Sequence, residues 1–162
     1  MRSSFLTGLA QRLRRDTEGV ALVEMALSLP LLMLLCLGMI DVSRLIATKI
    51  DLEQAAQRTT DYVMARRPTN NRTAKYIAEA KDASGLGTDS IAVTLYLECD
   101  GVKQDSFNDE CAADETIARF ANVVITDDVE TKFNWSGIAS MFDGQRRSST
   151  VKVVGDSTVR FQ

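Results

Sequence analysis

The sequence contains no histidine. That absence removes Ser-His-Asp and Cys-His nucleophilic catalysis, and with them the commonest metal ligand. A phosphate-cradling glycine loop is missing too: Gly85-Leu86-Gly87 has neither the lysine nor the following helix that such a loop needs. An excess of basic charge is lacking, with 19 Lys+Arg against 22 Asp+Glu and a net charge of −3. Nucleic-acid binding, which needs a basic patch to meet phosphates, is therefore not expected. Asp109-Glu110 and Asp127-Asp128 are carboxylate pairs on turn-like segments, and they read as surface charge rather than as an acid/base pair. Asp100, Asp105, Asp109 and Glu110 crowd one loop, but not at the spacing of an EF-hand. A solvated acidic loop is expected there, with no metal and no cofactor, and the chain does not read as an enzyme. Internal repeats and low-complexity segments are absent as well.

What the sequence does have is one long apolar run. From Val20 to Ile40 there are 21 residues, and the only charged one is Glu24. As a helix, at about 1.5 Å per residue, the run spans roughly 31 Å, the hydrocarbon thickness of a bilayer. The alternative is a buried helix of a soluble domain, which rarely carries an apolar stretch of this length. A secretory signal fits poorly, because the run is too long for a signal core and Ile40-Asp41-Val42-Ser43-Arg44 continues into charged helix without a small-x-small cleavage site.

Charge on either side of the run gives an orientation. The first 19 residues hold Arg2, Arg12, Arg14 and Arg15 against Asp16 and Glu18, a net of +2, and the remainder carries −5. A basic end before the span and an acidic domain after it predict a cytoplasmic N-terminus, with the C-terminal domain in the periplasm or outside the cell. Phe5, Leu6, Leu9 and Leu13 alternate with the arginines at helix-like spacing, as in a basic helix on a membrane surface.

Glu24 is the informative residue of the run. A carboxylate in a spanning helix costs roughly 2.5–3.5 kcal/mol near the bilayer centre and less near an end. Glu24 lies five residues after Gly19, near one end. A glycine, four mostly apolar residues and a glutamate opening an apolar helix, all behind a basic leader, resemble the cleavage site of type IV prepilins. The resemblance implies that a membrane-embedded prepilin peptidase cuts between Gly19 and Val20. The new N-terminal amine would then pair with Glu24 of its own or a neighbouring subunit. The plainer alternative is that Glu24 snorkels to the interface.

The stretch Gly19-Val20-Ala21-Leu22-Val23-Glu24-Met25-Ala26-Leu27-Ser28-Leu29-Pro30-Leu31-Leu32 resembles, more narrowly, the N-terminal signature of the TadE-like minor pilins of tight-adherence (Tad, or Flp) pilus systems. That signature has an aromatic residue where Met25 stands. Gly38 to Leu45 and Asp51 to Arg58 are similar to the family's helix exit and following segment, so the close resemblance covers roughly residues 16–67. It implies a minor pilin or pseudopilin that primes, caps or joins a pilus used for adhesion and biofilm formation. The partners implied are the prepilin peptidase, other major and minor pilins, the inner-membrane assembly platform and membrane lipid. Major pilins of these systems are much shorter than 162 residues, and their longest relatives carry a large extra domain, so a minor subunit fits best. Two rivals remain: an uncleaved single-pass scaffold of a secretion or pilus machine, and a type II secretion pseudopilin, whose usual aromatic after the glycine is replaced here by Val20.

Of the three cysteines, Cys36 lies in the apolar run and reads as a small apolar filler. Cys99 and Cys111 lie beyond the span, on the side expected to be oxidising, and a disulfide between them is expected. Closing so short a loop contributes on the order of 3 kcal/mol in the chain-entropy picture. Two free thiols, one at a strand end, are the alternative.

The remaining pattern predicts an α+β fold: a long N-terminal membrane-spanning, pilin-like helix packed on a small, mostly antiparallel β-sheet. The expected order is a leader over 1–19, a transmembrane segment over 20–40, a helix extension over 41–67 and an α+β domain over 68–162. Leu45, Leu52, Ala55, Thr59 and Tyr62 or Val63 form a stripe on the extension, read as domain core or as a helix-helix seam in a filament. A short helix over 72–83, capped by Asn71, buries Tyr76, Ile77 and Ala80. Ile91, Val93, Leu95 and Leu97 alternate as the inner face of a strand over 90–98. Residues 100–113 read as loop. A second strand over 119–126 turns Ala121, Val123 and Ile125 inward, and 129–133 extends its alternation. Trp135, Ile138, Met141 and Phe142 read as a lid over the sheet, and residues 149–161 as a strand pair or one bent strand around Gly155-Asp156.

Overall fold

The computed structural model describes residues 17–133, 137 and 150–162, with side chains described from Ala21 onward. The leader arginines and the expected lid residues Trp135, Ile138, Met141 and Phe142 lie outside the described residues. The first element, α1, is a single 49-residue helix over Thr17–Ala65. Pro30 sits inside it without ending it. A proline removes one backbone donor, a loss that a long helix with intact neighbouring turns tolerates. The chain divides into two units, Met1–Val42 and Ser43–Gln162, so the division falls within α1.

In the second unit, α1 from Ser43 is joined by a helix α2 over Ala74–Ser84 and four strands: β1 (Ile91–Cys99), β2 (Val102–Lys103), β3 (Ile117–Glu130) and β4 (Thr150–Arg160). The sheet order is β2-β1-β3-β4, and every pairing is antiparallel. The long helix thus packs on a four-stranded antiparallel sheet, an α+β fold. Alternation in β1 buries Ile91, Leu95, Leu97 and Cys99, with Val93 half-buried among them. In β3 the residues expected to point inward, Ala121, Val123 and Ile125, are fully buried. That strand runs past the expected 119–126 at both ends.

The stripe on α1 is core here. Leu52, Ala55 and Ala56 join Ala80, Ile91, Val123, Ile125 and Val153 in one cluster. Val63 joins Tyr76, Leu95, Phe107, Ala121 and Phe161 in a second. Each fully buried Val, Leu, Ile or Phe stabilises the fold by about 1.5–3 kcal/mol. Small residues set how closely α1 approaches the sheet. Thr59 Oγ1 donates to the Ala55 carbonyl at 2.8 Å, satisfying a fully buried hydroxyl within the helix. Thr60 Oγ1 lies 3.0 Å from Ser157 Oγ on β4. Lys49 Nζ donates to the Val154 carbonyl at 2.6 Å and pairs with Glu53 at 2.8 Å.

Several local expectations are corrected. Thr73, not Asn71, stands at the N-cap position of α2, and its side chain makes no capping hydrogen bond. Asn70 Oδ1 accepts from Arg72 N in a turn of its own, and the Thr73 carbonyl receives the first helical donors, Tyr76 N and Ile77 N. At the other end Gly85, at φ 71°, closes the helix with its N–H on the Lys81 carbonyl. The stretch read wholly as loop contains β2. Asp100 (φ 51°) and Gly101 (φ 81°) make the two-residue turn that hairpins it against β1. Of the two alternatives around Gly155-Asp156, the single strand is the one found: β4 pairs with β3 straight through it, Gly155 opposite Ile125 and Asp156 opposite Val124.

Candidate functional site

The residues singled out by the sequence fall in two separate places. Gly19 and Val20 lie in the first turns of α1, where the backbone is helical. Glu24 follows in the same helix with its side chain exposed. Around and beyond it Leu22, Met25, Leu27, Leu29, Leu31, Leu32 and Met33 are all exposed, and Leu27 reaches 73%. A helix face this apolar and this bare would be an aggregation liability in water and is at home in lipid. Among the described residues, α1 is the one helix long and apolar enough to cross a membrane, with a mean hydropathy of 2.2 in its most apolar window. Ser28 Oγ donates to the Met25 carbonyl at 3.2 Å, so the hydroxyl in this run is satisfied within its own helix. Cys36 is a free thiol on the same exposed surface.

Where the apolar run ends, Asp41 is 4% exposed. The sequence marks it as the first charge after Ile40, but nothing in its spacing reveals that it is buried.

Cys99 and Cys111 are joined, with Cα atoms 5.6 Å apart. Cys99 is buried at the end of β1 and Cys111 is half-buried in the following loop. Three carboxylates in and beside the loop accept from nearby backbone. Asp100 Oδ1 accepts from Thr116 N at 2.8 Å, Asp109 Oδ2 from Ser106 N at 2.9 Å and Glu115 Oε2 from Ala112 N at 2.9 Å. Cys99, Cys111 and Glu115 offer ligand atoms close together, but both sulfurs are committed to the bridge. The sequence reading overlooked Phe107, which stands in this polar loop and is 2% exposed. One aromatic residue among Asp, Ser and Asn was the available signal.

Two surface hollows are lined by polar and small residues. One of about 400 Å³ lies between α1 and α2 against Asp51, Gln54, Arg58 and Ser84. Its Arg58 Nε is held by Glu79 at 2.9 Å. The other, about 280 Å³, is formed by Pro68, Thr69, Asn70, Arg72, Ala74 and Lys75. On the sheet face away from α1, Tyr96 stacks on Phe120 with ring centroids 5.1 Å apart, and Lys103 Nζ sits 4.7 Å above the Tyr96 ring. Burial, and secondarily the charge of Glu98, hold the Tyr96 phenol above its ordinary value.

Compared with known proteins, residues 19–61 match the family model described as TadE-like protein. No curated protein and no solved structure matches the chain.

Proposed function

We propose, from the match of residues 19–61 to the TadE-like family model, that the chain is a minor pilin or pseudopilin of a tight-adherence pilus. It acts as a structural subunit in priming, capping or extending the filament, and so supports adhesion and biofilm formation. The observation that carries this reading is where the family match begins. It opens at Gly19, and the exposed apolar face with its single carboxylate at Glu24 follows directly. On this reading the chain is made as an inner-membrane precursor with its N-terminus in the cytoplasm and residues 68–162 in the periplasm. Prepilin peptidase cuts between Gly19 and Val20. The new amine pairs with Glu24, within the subunit or across to a neighbouring pilin, because an unpaired ion in the bilayer stays expensive. The assembly platform and other pilins are then its partners.

The test is the intact mass and N-terminal sequence of the protein taken from its native membrane. A chain beginning at Val20 supports the proposal. A chain beginning at Met1 refutes processing and leaves an anchored scaffold, with Glu24 an interfacial carboxylate. Replacing Gly19 by a bulky residue is expected to leave the precursor uncut; a mature-sized product from that variant would place the cut elsewhere.

A further inference from the structure

The loop between β2 and β3 is held to the rest of the fold in an unusual way. Its base is tied by backbone: Asp100 N donates to the Thr116 carbonyl at 3.0 Å, and Gln104 N to the Leu97 carbonyl at 2.8 Å. Between these ties the hydrogen bonds of residues 105–115 are largely local. Ser106 N and Asn108 N are served within the turn, by Asp109 and by Ser106, and Ala112 closes on Glu115. Among the described residues, two anchors fix this segment to the sheet. One is the Cys99–Cys111 bridge, and the other is Phe107, seated against Phe161 with ring centroids 6.2 Å apart, in the cluster with Val63, Tyr76, Leu95 and Ala121.

The seat is not wholly comfortable. The Arg119 guanidinium lies 5.1 Å over the Phe107 ring, and its Nε is buried without a hydrogen-bond partner. A buried unpaired donor is a standing penalty that hydration would relieve. The seated loop therefore carries a cost that is lifted when Phe107 leaves, and the bridge, four residues away, opposes that departure by limiting how far the loop can wander.

We propose that Cys99–Cys111 and Phe107 form a thiol-operated latch, opened by an external dithiol and closed by oxidation, that seats or releases residues 105–115 while the rest of the sheet stays folded. The half-buried Cys111 is the sulfur a reagent reaches, whereas Cys99 is 4% exposed. A thiolate of the dithiol attacks Cys111 Sγ. The Cys99–Cys111 bond breaks, and Cys99 leaves as a thiolate that takes a proton from water. The second thiol of the reagent, as its thiolate, then displaces Cys111. The dithiol ends as a disulfide, and two electrons and two protons have passed to the two cysteines. Closing runs the same exchange in reverse, with a disulfide-bearing oxidant as the partner.

The test is hydrogen exchange of the intact chain in lipid nanodiscs, with and without dithiothreitol. Amides of residues 105–111 are expected to lose at least about tenfold protection on reduction, while Val123 and Ile125 in β3 keep theirs. Unchanged protection over 105–111 overturns the latch, and so does a loss spread over all four strands, because the bridge would then hold the whole sheet. The Cys99→Ser/Cys111→Ser variant should show the open pattern without reductant; a closed pattern in that variant refutes the proposal. Glutathione, which as a monothiol gives a trappable mixed disulfide, is expected on Cys111. An adduct found first on Cys99 reverses the order of attack and overturns that step.

Discussion

At Gly155 the fold depends on the absence of a single atom. A Cβ built there would lie 2.4 Å from the carbonyl carbon of Leu52 and 2.6 Å from its oxygen. The obstacle is backbone, so no rotamer change relieves it, and the position has no positive φ to explain the glycine instead. Gly155→Ala is therefore expected to push α1 away from β4 and to destabilise the domain by about 3 kcal/mol, at the upper end for over-packing. A fall in urea midpoint at unchanged slope for the intact chain in detergent checks it; a midpoint equal to wild type would mean that helix and strand are further apart. Tyr96 gives a pH prediction at the same scale. Its phenol is held above the ordinary 10.0, mainly by burial against the sheet face and then by Glu98. The folded state thus keeps this proton more tightly than the unfolded chain does. Its contribution to stability is full below pH 10.0 and is lost as pH rises through the higher folded value. Absorbance titration of the wild type against Tyr96→Phe should show that the variant has lost a late-ionising component.

The elements meet through a few polar contacts that close helix ends. Tyr76 is fully buried, yet its hydroxyl donates to the Arg66 carbonyl at 2.6 Å, just beyond the end of α1. A helix leaves its last carbonyls without partners, so this bond ties the α1 terminus to α2. Tyr76→Phe is expected to cost about 1 kcal/mol and to speed amide exchange in the turn after Ala65 more than in β3; uniform acceleration would show that the ring, not the hydroxyl, carries the effect. Much at this scale was legible in the sequence. Period-two alternation marks β1 and the inward side of β3, because a sheet with one covered face separates its residues by parity. The 3.6-residue spacing of Leu52, Ala55, Thr59 and Val63 marks the covered side of α1. What escaped was governed by contacts distant in sequence. Gly155-Asp156 left a strand pair and one bent strand equally open, and the reason for a glycine within one strand is Leu52, far away in sequence. Phe107 looks like loop until its seat among Leu95, Ala121 and Phe161 is known. The two-residue turn at Asp100-Gly101 did carry a local signal, masked by the acidic residues around it. The roles proposed for Gly19, Val20 and Glu24 rest on family resemblance alone, since that chemistry would belong to other molecules rather than to contacts within this fold.

For the whole molecule the question is what a carboxylate does in a segment otherwise suited to lipid. Glu24 raises the cost of inserting α1 by up to roughly 3 kcal/mol, depending on depth, and the exposed leucines around it offer it no partner. If the residue only snorkels, that cost is small and Glu24→Ala is silent in assembly. If it pairs with an N-terminal amine, the same substitution makes the span more apolar and leaves the amine as the unpaired ion. Membrane insertion and pilus assembly, measured side by side, separate the two. Glu24→Ala protein is expected to fractionate with the membrane as fully as wild type, yet cells carrying it should show strongly reduced pili and surface attachment. Glu24→Gln refines the test, because it keeps the shape and hydrogen-bonding capacity while removing the charge, and it should fail as Glu24→Ala does. Wild-type piliation in both variants would overturn the pairing role. Normal pili in Glu24→Gln alone would assign the contact to a neutral hydrogen bond instead of an ion pair.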